Sequence, residues 1–142
     1  MLQVIKDLLD HYRVFNAGQG SALRALVEQQ GQFSRVATAL TYLHNHYAEP
    51  LHVETLARCA NMSPSTFHEH FKRCTLVSPV QYLKRLRLIK AQQLLVTEGL
   101  GVAQAALRVG YQSASQFSRE YKRYFGCSPA LSRSEAGAPA AG

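Results

Sequence analysis

Apolar residues recur at intervals of three or four along most of the chain, and turn-forming residues divide them into short blocks. The first long block carries its apolar residues at Val36, Leu40, Leu43 and Tyr47. This spacing places side chains on one face of an α-helix. The block begins near Ser34, and Glu49-Pro50 stops it, because a proline disfavours helical backbone in the residue before it. We therefore predict an all-α protein with a first core helix in this region.

The block from Val53 to Ala60 is followed at once by Asn61-Met62-Ser63-Pro64. Asparagine tolerates the left-handed backbone of a sharp turn, serine can cap the next helix, and proline suits its first position. That next helix, which extends to about Cys74, would bury Phe67 and Phe71. Two short helices joined by such a turn predict a helix-turn-helix.

The same pattern recurs from Val102 to Tyr121. Matching positions are 49 residues apart before the turn and 50 apart after it, so the extra residue lies in the turn and both helices keep their phase. This predicts a duplicated unit. A long linker helix, from about Val80 to Val96, would join the two copies. Ser78 with Gln81, and Ser113 with Gln116, have the spacing of a capping box.

The predicted organisation has three parts. Residues 34–133 form the double helix-turn-helix domain, which ends in a short turn after Ser128-Pro129. Residues 1–31 form two short helices, the second closed by Gly31, which act as a helical connector or a remnant of a sensor domain and could contact a second copy. Residues 134–142 lack large apolar residues, which predicts a disordered tail.

The formal net charge of +7 is concentrated in one part of the chain. Thirteen of the sixteen basic residues, but five of the nine acidic ones, lie between Arg35 and Arg133. A localised basic excess favours a polyanionic partner such as nucleic acid. The chain has no apolar run long enough for a membrane span and no signal-peptide pattern, so a cytoplasmic location is expected. Its three cysteines have no zinc-finger spacing, and no cofactor is expected.

The second helix of each unit offers an exposed face that fits a major groove. At 100° per residue, positions opposite the buried aromatic residues point outward. The candidates for reading bases are Ser65, His68, Glu69, Ser115, Ser118 and Arg119. The candidates for phosphate contact near the helix ends are Lys72, Arg73, Lys122 and Arg123. Arg85 and Arg87 of the linker helix are further candidates for phosphate contact, although basic residues there could also serve only to keep the helix soluble.

Residues 34–133 resemble the DNA-binding domain of AraC/XylS-family transcriptional regulators. The resemblance rests on Leu56-Ala57-Arg58-Cys59-Ala60-Asn61-Met62-Ser63-Pro64, on the linker from Ser78 to Leu88, and above all on the second unit from Ala106 to Pro129. It implies seven helices, with two recognition helices in successive major-groove turns, and it adds Ala114 to the base-reading candidates. The chain departs from the family pattern at Asn61, where a turn glycine is usual, and at Tyr111, where phenylalanine is usual.

The resulting hypothesis is a sequence-specific, double-stranded DNA-binding activator that is not an enzyme. It would read a non-palindromic site of about 20 bp as a monomer, with RNA polymerase as a further candidate partner. Two alternatives stay open. One is a DNA methyl-damage repair protein with a reactive cysteine. The other is a metal-responsive regulator, for which His70 and Cys74 lie four apart on one helix face. Further donors are His68, Glu69, His44 and His46, although His68 and His70 diverge too far on the helix to share one ion easily.

Overall fold

The computed structural model describes residues 3–4 and 23–137, and every regular element in the longer range is an α-helix. This confirms the predicted all-α class. None of these helices is long and apolar enough to cross a membrane. The helices are α1 (Leu23–Asn45), α2 (Val53–Cys59), α3 (Pro64–Thr75), α4 (Pro79–Thr97), α5 (Val102–Arg108), α6 (Ala114–Phe125) and α7 (Pro129–Gly137).

The helix break predicted at Gly31 is wrong. Helix α1 continues through Gly31, which is exposed and has no atom within 4 Å of an added Cβ. A glycine inside a helix costs about 1 kcal/mol relative to alanine but removes no backbone hydrogen bond, so good helix formers on both sides can override it. The first predicted short helix lies outside the described residues, apart from the helical Gln3 and Val4.

The C-terminal end also differs from the prediction. In place of a short turn, Pro129 begins the nine-residue helix α7, which includes residues 134–137 of the expected tail. Burial of Ser132 and its contact with Tyr121 hold this helix to the domain. Residues 138–142, the rest of the expected disordered tail, lie outside the described residues.

The chain divides into two compact units. Of the described residues, the first unit contains those up to His46 together with Leu51–Tyr82. In this unit α1 packs on α2 and α3. The core consists of Val36, Ala39, Leu40, Leu43, Leu56, Ala57, Ala60, Phe67, Phe71 and Cys74. Helical periodicity and the turn-helix pattern predict all of these core residues except Ala39 and Cys74.

Of the described residues, the second unit contains 47–50 and 83–137, so most of the short connection between α1 and α2 belongs to it. Helices α5, α6 and α7 contact one another. The core of this unit consists of Leu88, Ala91, Leu95, Ala105, Ala106, Val109, Tyr111, Phe117 and Tyr121. Helix α4 begins in the first unit and continues into the second, and its 19 residues span about 28 Å.

Candidate nucleic-acid interface

The two units begin their second helices in the same way. The Ser63 hydroxyl accepts a hydrogen bond from the Thr66 amide at 3.3 Å, and the Ser113 hydroxyl accepts one from the Gln116 amide at 3.2 Å. Each serine thus caps one of the amides that a helix start leaves unpaired. In α4 the predicted capping box is complete, because Ser78 and Gln81 each accept from the other's backbone amide.

The turns before these helices also match. The amide of Met62 donates to the Ala57 carbonyl, and the amide of Tyr111 donates to the Ala106 carbonyl, at 2.9 Å in both units. Asn61 and Gly110 occupy the same place in the turn with φ values of 55° and 101°. The prediction of a left-handed turn residue is therefore confirmed in both copies.

The ends of α3 and α6 match as well. Leu76 and Gly126 have left-handed backbones, with φ of 68° and 82°, and donate to the carbonyls of Lys72 and Lys122, at 2.8 Å in each case. The turn before the second helix, and the start and end of that helix, are thus equivalent in the two units. The duplication predicted from the sequence extends to individual backbone hydrogen bonds.

Aromatic side chains fix the inner face of each second helix. Phe67 and Phe71 are fully buried with ring centroids 5.4 Å apart, and Phe71 packs edge-on against Tyr82. In the other unit, Phe117 and Tyr121 are fully buried with centroids 5.6 Å apart. With these faces buried, the opposite face of each helix points to solvent.

The outer face of α3 carries the predicted candidates, and all of them are exposed: Ser65, His68, Glu69, Lys72 and Arg73. One feature was missed by the sequence analysis. Arg73 donates to the Glu69 carboxylate at 3.3 Å, an ion pair between residues four apart on the helix. The i, i+4 spacing was a readable signal for this pair. The pair offsets the negative charge that Glu69 would otherwise present to DNA.

The outer face of α6 is more basic. Its candidates Ala114, Ser115, Arg119, Lys122 and Arg123 are exposed, whereas Ser118 is half-buried. Among the residues that the structure describes, no acidic side chain pairs with Arg119. The two outer faces therefore differ in charge as well as in side-chain type.

The two arginines predicted to contact phosphates from α4 lie in different surroundings. Arg85 is exposed. Arg87 is half-buried, and its Nε and Nη2 atoms donate to the carbonyl oxygens of Tyr47 at 2.7 Å and Glu49 at 3.0 Å. These two donors are thus used inside the second unit, which gives Arg87 a structural role that Arg85 lacks.

The Arg87 guanidinium also borders the turn at Gly110. A Cβ added to Gly110 would lie 2.8 Å from the Ala48 carbonyl oxygen and 3.0 Å from Arg87 Cζ. Lys90 lies over the Tyr47 ring, 5.9 Å from its centroid. The connection 47–50 is thus held between α4 and the turn of the second unit. Sequence periodicity carried no signal for this contact, because it depends on a loop that belongs to no predicted element.

A partly buried polar cluster of Lys84, Arg87, Tyr111 and Glu120 lies next to this contact. Lys84 Nζ lies 3.4 Å from a Glu120 carboxylate oxygen. Burial, the largest cause, and the neighbouring Glu120 carboxylate together raise the pKa of Tyr111 to about 12, although Arg87 opposes the shift. Burial lowers the pKa of Arg87, which Tyr111 and Glu120 partly offset. Residues of α4, of the turn and of α6 therefore interact electrostatically within one unit.

The surroundings of the cysteines and histidines bear on the two alternative functions. Cys74 is buried, and burial raises the pKa of its thiol to about 11, which opposes the thiolate that methyl transfer needs. His44 Nε2 is 2.8 Å from the Tyr82 hydroxyl, and His46 stacks on Tyr42. Among the described residues, no three His, Cys, Asp or Glu side chains gather as a metal site would require.

Comparison with known sequences bears on the same region. A family model described as "Helix-turn-helix domain" matches residues 56–134. The chain is 36% identical over 96 residues to the "HTH-type transcriptional activator RhaS" of Enterobacter sp. (strain 638), and 35% identical to the RhaS protein of Escherichia coli O139:H28. In both cases the match covers 68% of this chain and 34% of the relative. The chain thus spans about a third of the length of these curated relatives.

Comparison with solved structures gives the same picture. A transcriptional regulator with an AraC-type DNA-binding domain from Chromobacterium violaceum matches with a TM-score of 0.70 and 26% identity, over 78% of this chain and 98% of that one. The DNA-binding domain of the global transcriptional factor AdpA, solved with a target DNA, matches with a TM-score of 0.67 and 35% identity. That match covers 71% of this chain and 91% of the AdpA chain.

Proposed function

Because the chain belongs to the AraC/XylS family of helix-turn-helix regulators, we propose that it binds double-stranded DNA sequence-specifically through α3 and α6 and activates transcription. The resemblance seen in the sequence is thereby confirmed. The family and the named relatives are transcriptional regulators and not enzymes, which removes the repair alternative. Activation is supported by the name of the RhaS relatives.

The observation that carries the proposal is the presence of two equivalent, capped helices. Their outer faces are exposed and differ from each other in charge and side-chain type. Equal caps and turns position α3 and α6 in the same way within their units. A single exposed helix face is common, whereas two matched ones within a basic segment are typical of a two-part DNA reader. Because the faces differ, the two halves of the site should differ, and the whole site should be non-palindromic and about 20 bp long.

Base reading is assigned to the middle of each outer face. On α6, Arg119 can donate two hydrogen bonds to guanine O6 and N7. On α3, Glu69 can accept from cytosine N4 or orient Arg73, and His68 and Ser65 lie on the same exposed side. Ala114 and Ser115, at the start of α6, have short side chains that can make small contacts with base edges, including a thymine methyl group. Ser118 contributes less surface, because it is half-buried.

Phosphate contact is assigned to exposed basic residues near the ends of α3 and α6 and to one exposed arginine of α4. This group consists of Lys72, Arg73, Arg85, Lys122 and Arg123. Such contacts fix the position of the protein along the duplex and supply affinity, but they do not distinguish one base sequence from another. Release of condensed counterions makes their contribution fall with salt.

Selection of bound sites from random DNA at a fixed salt concentration tests the proposal. We expect a single enriched motif of about 20 bp with two unlike halves. Recovery of no motif, with equal retention of all sequences, would contradict sequence-specific binding. Transcription in vitro from a promoter that carries the selected site then separates activation, which we expect, from repression.

Arg119→Ala separates base reading from phosphate contact. It should lower affinity for the selected site by about 1–3 kcal/mol and relax preference at one or two base pairs. Arg123→Ala, four residues further on the same helix and equally charged, is the matched control and should weaken binding to all sequences evenly. Equal losses on all sequences for Arg119→Ala would show that it does not read bases.

Partners and location remain proposals. RNA polymerase is the expected partner in activation, and addition of the purified enzyme to the DNA complex should produce a further mobility shift. Residues 1–31 are proposed to contact a sensor domain or a second copy, which sedimentation with and without these residues would test. The cytoplasmic location predicted from the sequence is expected from its DNA target, and cell fractionation would check it.

A further inference from the structure

We propose that Arg87 is a positioning residue for DNA recognition: it fixes the turn that precedes α6 and so sets the orientation of this helix within the second unit. The inference rests on the proposed function. It also replaces the phosphate contact that the sequence suggested for Arg87.

The first support comes from the hydrogen bonds that the Arg87 guanidinium makes. Arg87 donates to the carbonyl oxygens of Tyr47 and Glu49 at 2.7 and 3.0 Å. Carbonyl groups in a loop outside regular structure need such partners, and hydrogen bonds from a charged donor are stronger than neutral ones. Arg87 therefore holds residues 47–50 in one backbone conformation against α4.

The second support is what this segment contacts. The Ala48 carbonyl oxygen lies so close to Gly110 that no Cβ would fit there, and Arg87 Cζ borders the same position. Gly110 has a φ of 101° and lies three residues before Ser113, which caps α6. A shift of residues 47–50 would change the space in which this turn folds.

The third support is electrostatic. Glu120 follows Arg119 directly in α6 and is bonded to Lys84, which lies one helical turn before Arg87 in α4. Tyr111 and Glu120 both raise the pKa of Arg87, so the three groups interact electrostatically in the same region. The Arg87 side chain is thus linked to the turn through Gly110 and to α6 through Glu120, next to the proposed base-reading arginine.

Arg87→Met tests the proposal, with Arg85→Met as the matched control on the same helix. Binding of both variants is measured on the selected site and on a scrambled duplex at several salt concentrations, well below the thermal midpoint seen by circular dichroism. We expect Arg87→Met to reduce the ratio of specific to non-specific affinity by about tenfold or more, the order of one lost base contact, with an unchanged salt slope. Arg85→Met should retain the ratio and flatten the slope by about one unit.

Hydroxyl-radical footprinting locates the effect. Protection should weaken in Arg87→Met in the half of the site that weakens in Arg119→Ala, while the other half stays protected. A merely stabilising residue would leave the footprint of the folded variant unchanged, and that result would overturn the proposal. A flatter salt slope in Arg87→Met, with the ratio retained, would also overturn it and restore the phosphate contact.

Arg87→Lys keeps the test valid if Arg87→Met does not fold. Lysine retains the charge but cannot reproduce the planar donor pair. We expect Arg87→Lys to lower the ratio of specific to non-specific affinity in part, at an unchanged salt slope. Full retention of this ratio would count against the positioning role. If the wild-type chain itself selects no site, the proposed function fails. If it selects a site and the Arg87 variants behave like the Arg85 variant, only this inference fails.

Discussion

Gly110→Ala should be much more destabilising than Gly126→Ala, although both glycines have positive φ. Gly110 has φ of 101° and Gly126 has φ of 82°. The two sites differ in space: a Cβ at Gly126 meets nothing within 4 Å, whereas a Cβ at Gly110 lies 2.8 Å from the Ala48 carbonyl oxygen. The pair of variants therefore separates backbone strain from close packing.

The magnitude follows from these two contributions. Left-handed backbone costs an alanine about 1–2 kcal/mol, and this is all that Gly126→Ala should lose. Forcing a carbon into an occupied space typically costs a further 1–3 kcal/mol or so. Gly110→Ala should meet this cost in full, because the opposing atom is backbone that Arg87 holds on either side through Tyr47 and Glu49. We expect a total of about 2–5 kcal/mol.

Urea denaturation followed by far-ultraviolet circular dichroism measures both values, since the chain has no tryptophan for fluorescence. The first unit supplies a further test, because Asn61 occupies the position equivalent to Gly110 with φ of 55°. Gly110→Asn copies that residue and should still be strongly destabilising. Losses for Gly110→Ala and Gly126→Ala that agree within about 0.5 kcal/mol, the usual scatter of surface substitutions, would refute the contact with Ala48.

Two further predictions concern salt and pH. Lys122→Ala should weaken binding evenly on all sequences and flatten the plot of log affinity against log salt by about 0.9, and an unchanged slope in filter binding would remove Lys122 from the phosphate contacts. Burial is the main cause that raises the pKa of Tyr111 from 10 to about 12. The stability that the neutral Tyr111 contributes should therefore be fully present below pH 10 and be lost as the pH rises from 10 to 12. Two pKa units correspond to a loss on the order of 2–3 kcal/mol. Tyr111→Phe should show a smaller loss of stability in urea titrations across this window, even though burial also raises the pKa of Cys74 to about 11 and raises that of Tyr121. An identical loss would exclude Tyr111 as a source.

Local sequence determined the helices and their ends to a large extent. Ser63, Pro64 and Ser113 specify helix starts through hydrogen bonds to neighbours only three residues away, so their effect is readable without the fold. The aromatic pairs four residues apart fixed the buried faces and thus the exposed ones. The prediction failed at Gly31, where a local breaker was outweighed by the helix formers around it.

The candidate interface was predictable for the same reason. Exposure of Glu69, Lys72 and Arg119 follows from their angle to a buried aromatic residue on their own helix. The Glu69–Arg73 pair is also local and was available from spacing. Arg87 was different, because its sequence neighbourhood in a basic linker helix resembles that of Arg85, yet one is half-buried and the other is exposed.

The sequence by itself determined a duplicated, basic, all-helical unit with two outward faces, because caps, turns and helical periodicity act over a few residues. The tertiary structure alone decided that residues 47–50 pack in the second unit, that Arg87 bonds to their carbonyls, and that Gly110 faces Ala48. These contacts join residues about 40 to 60 positions apart in the chain. No local pattern encodes them, since they depend on the path of a loop and on the space that is left once the helices have packed.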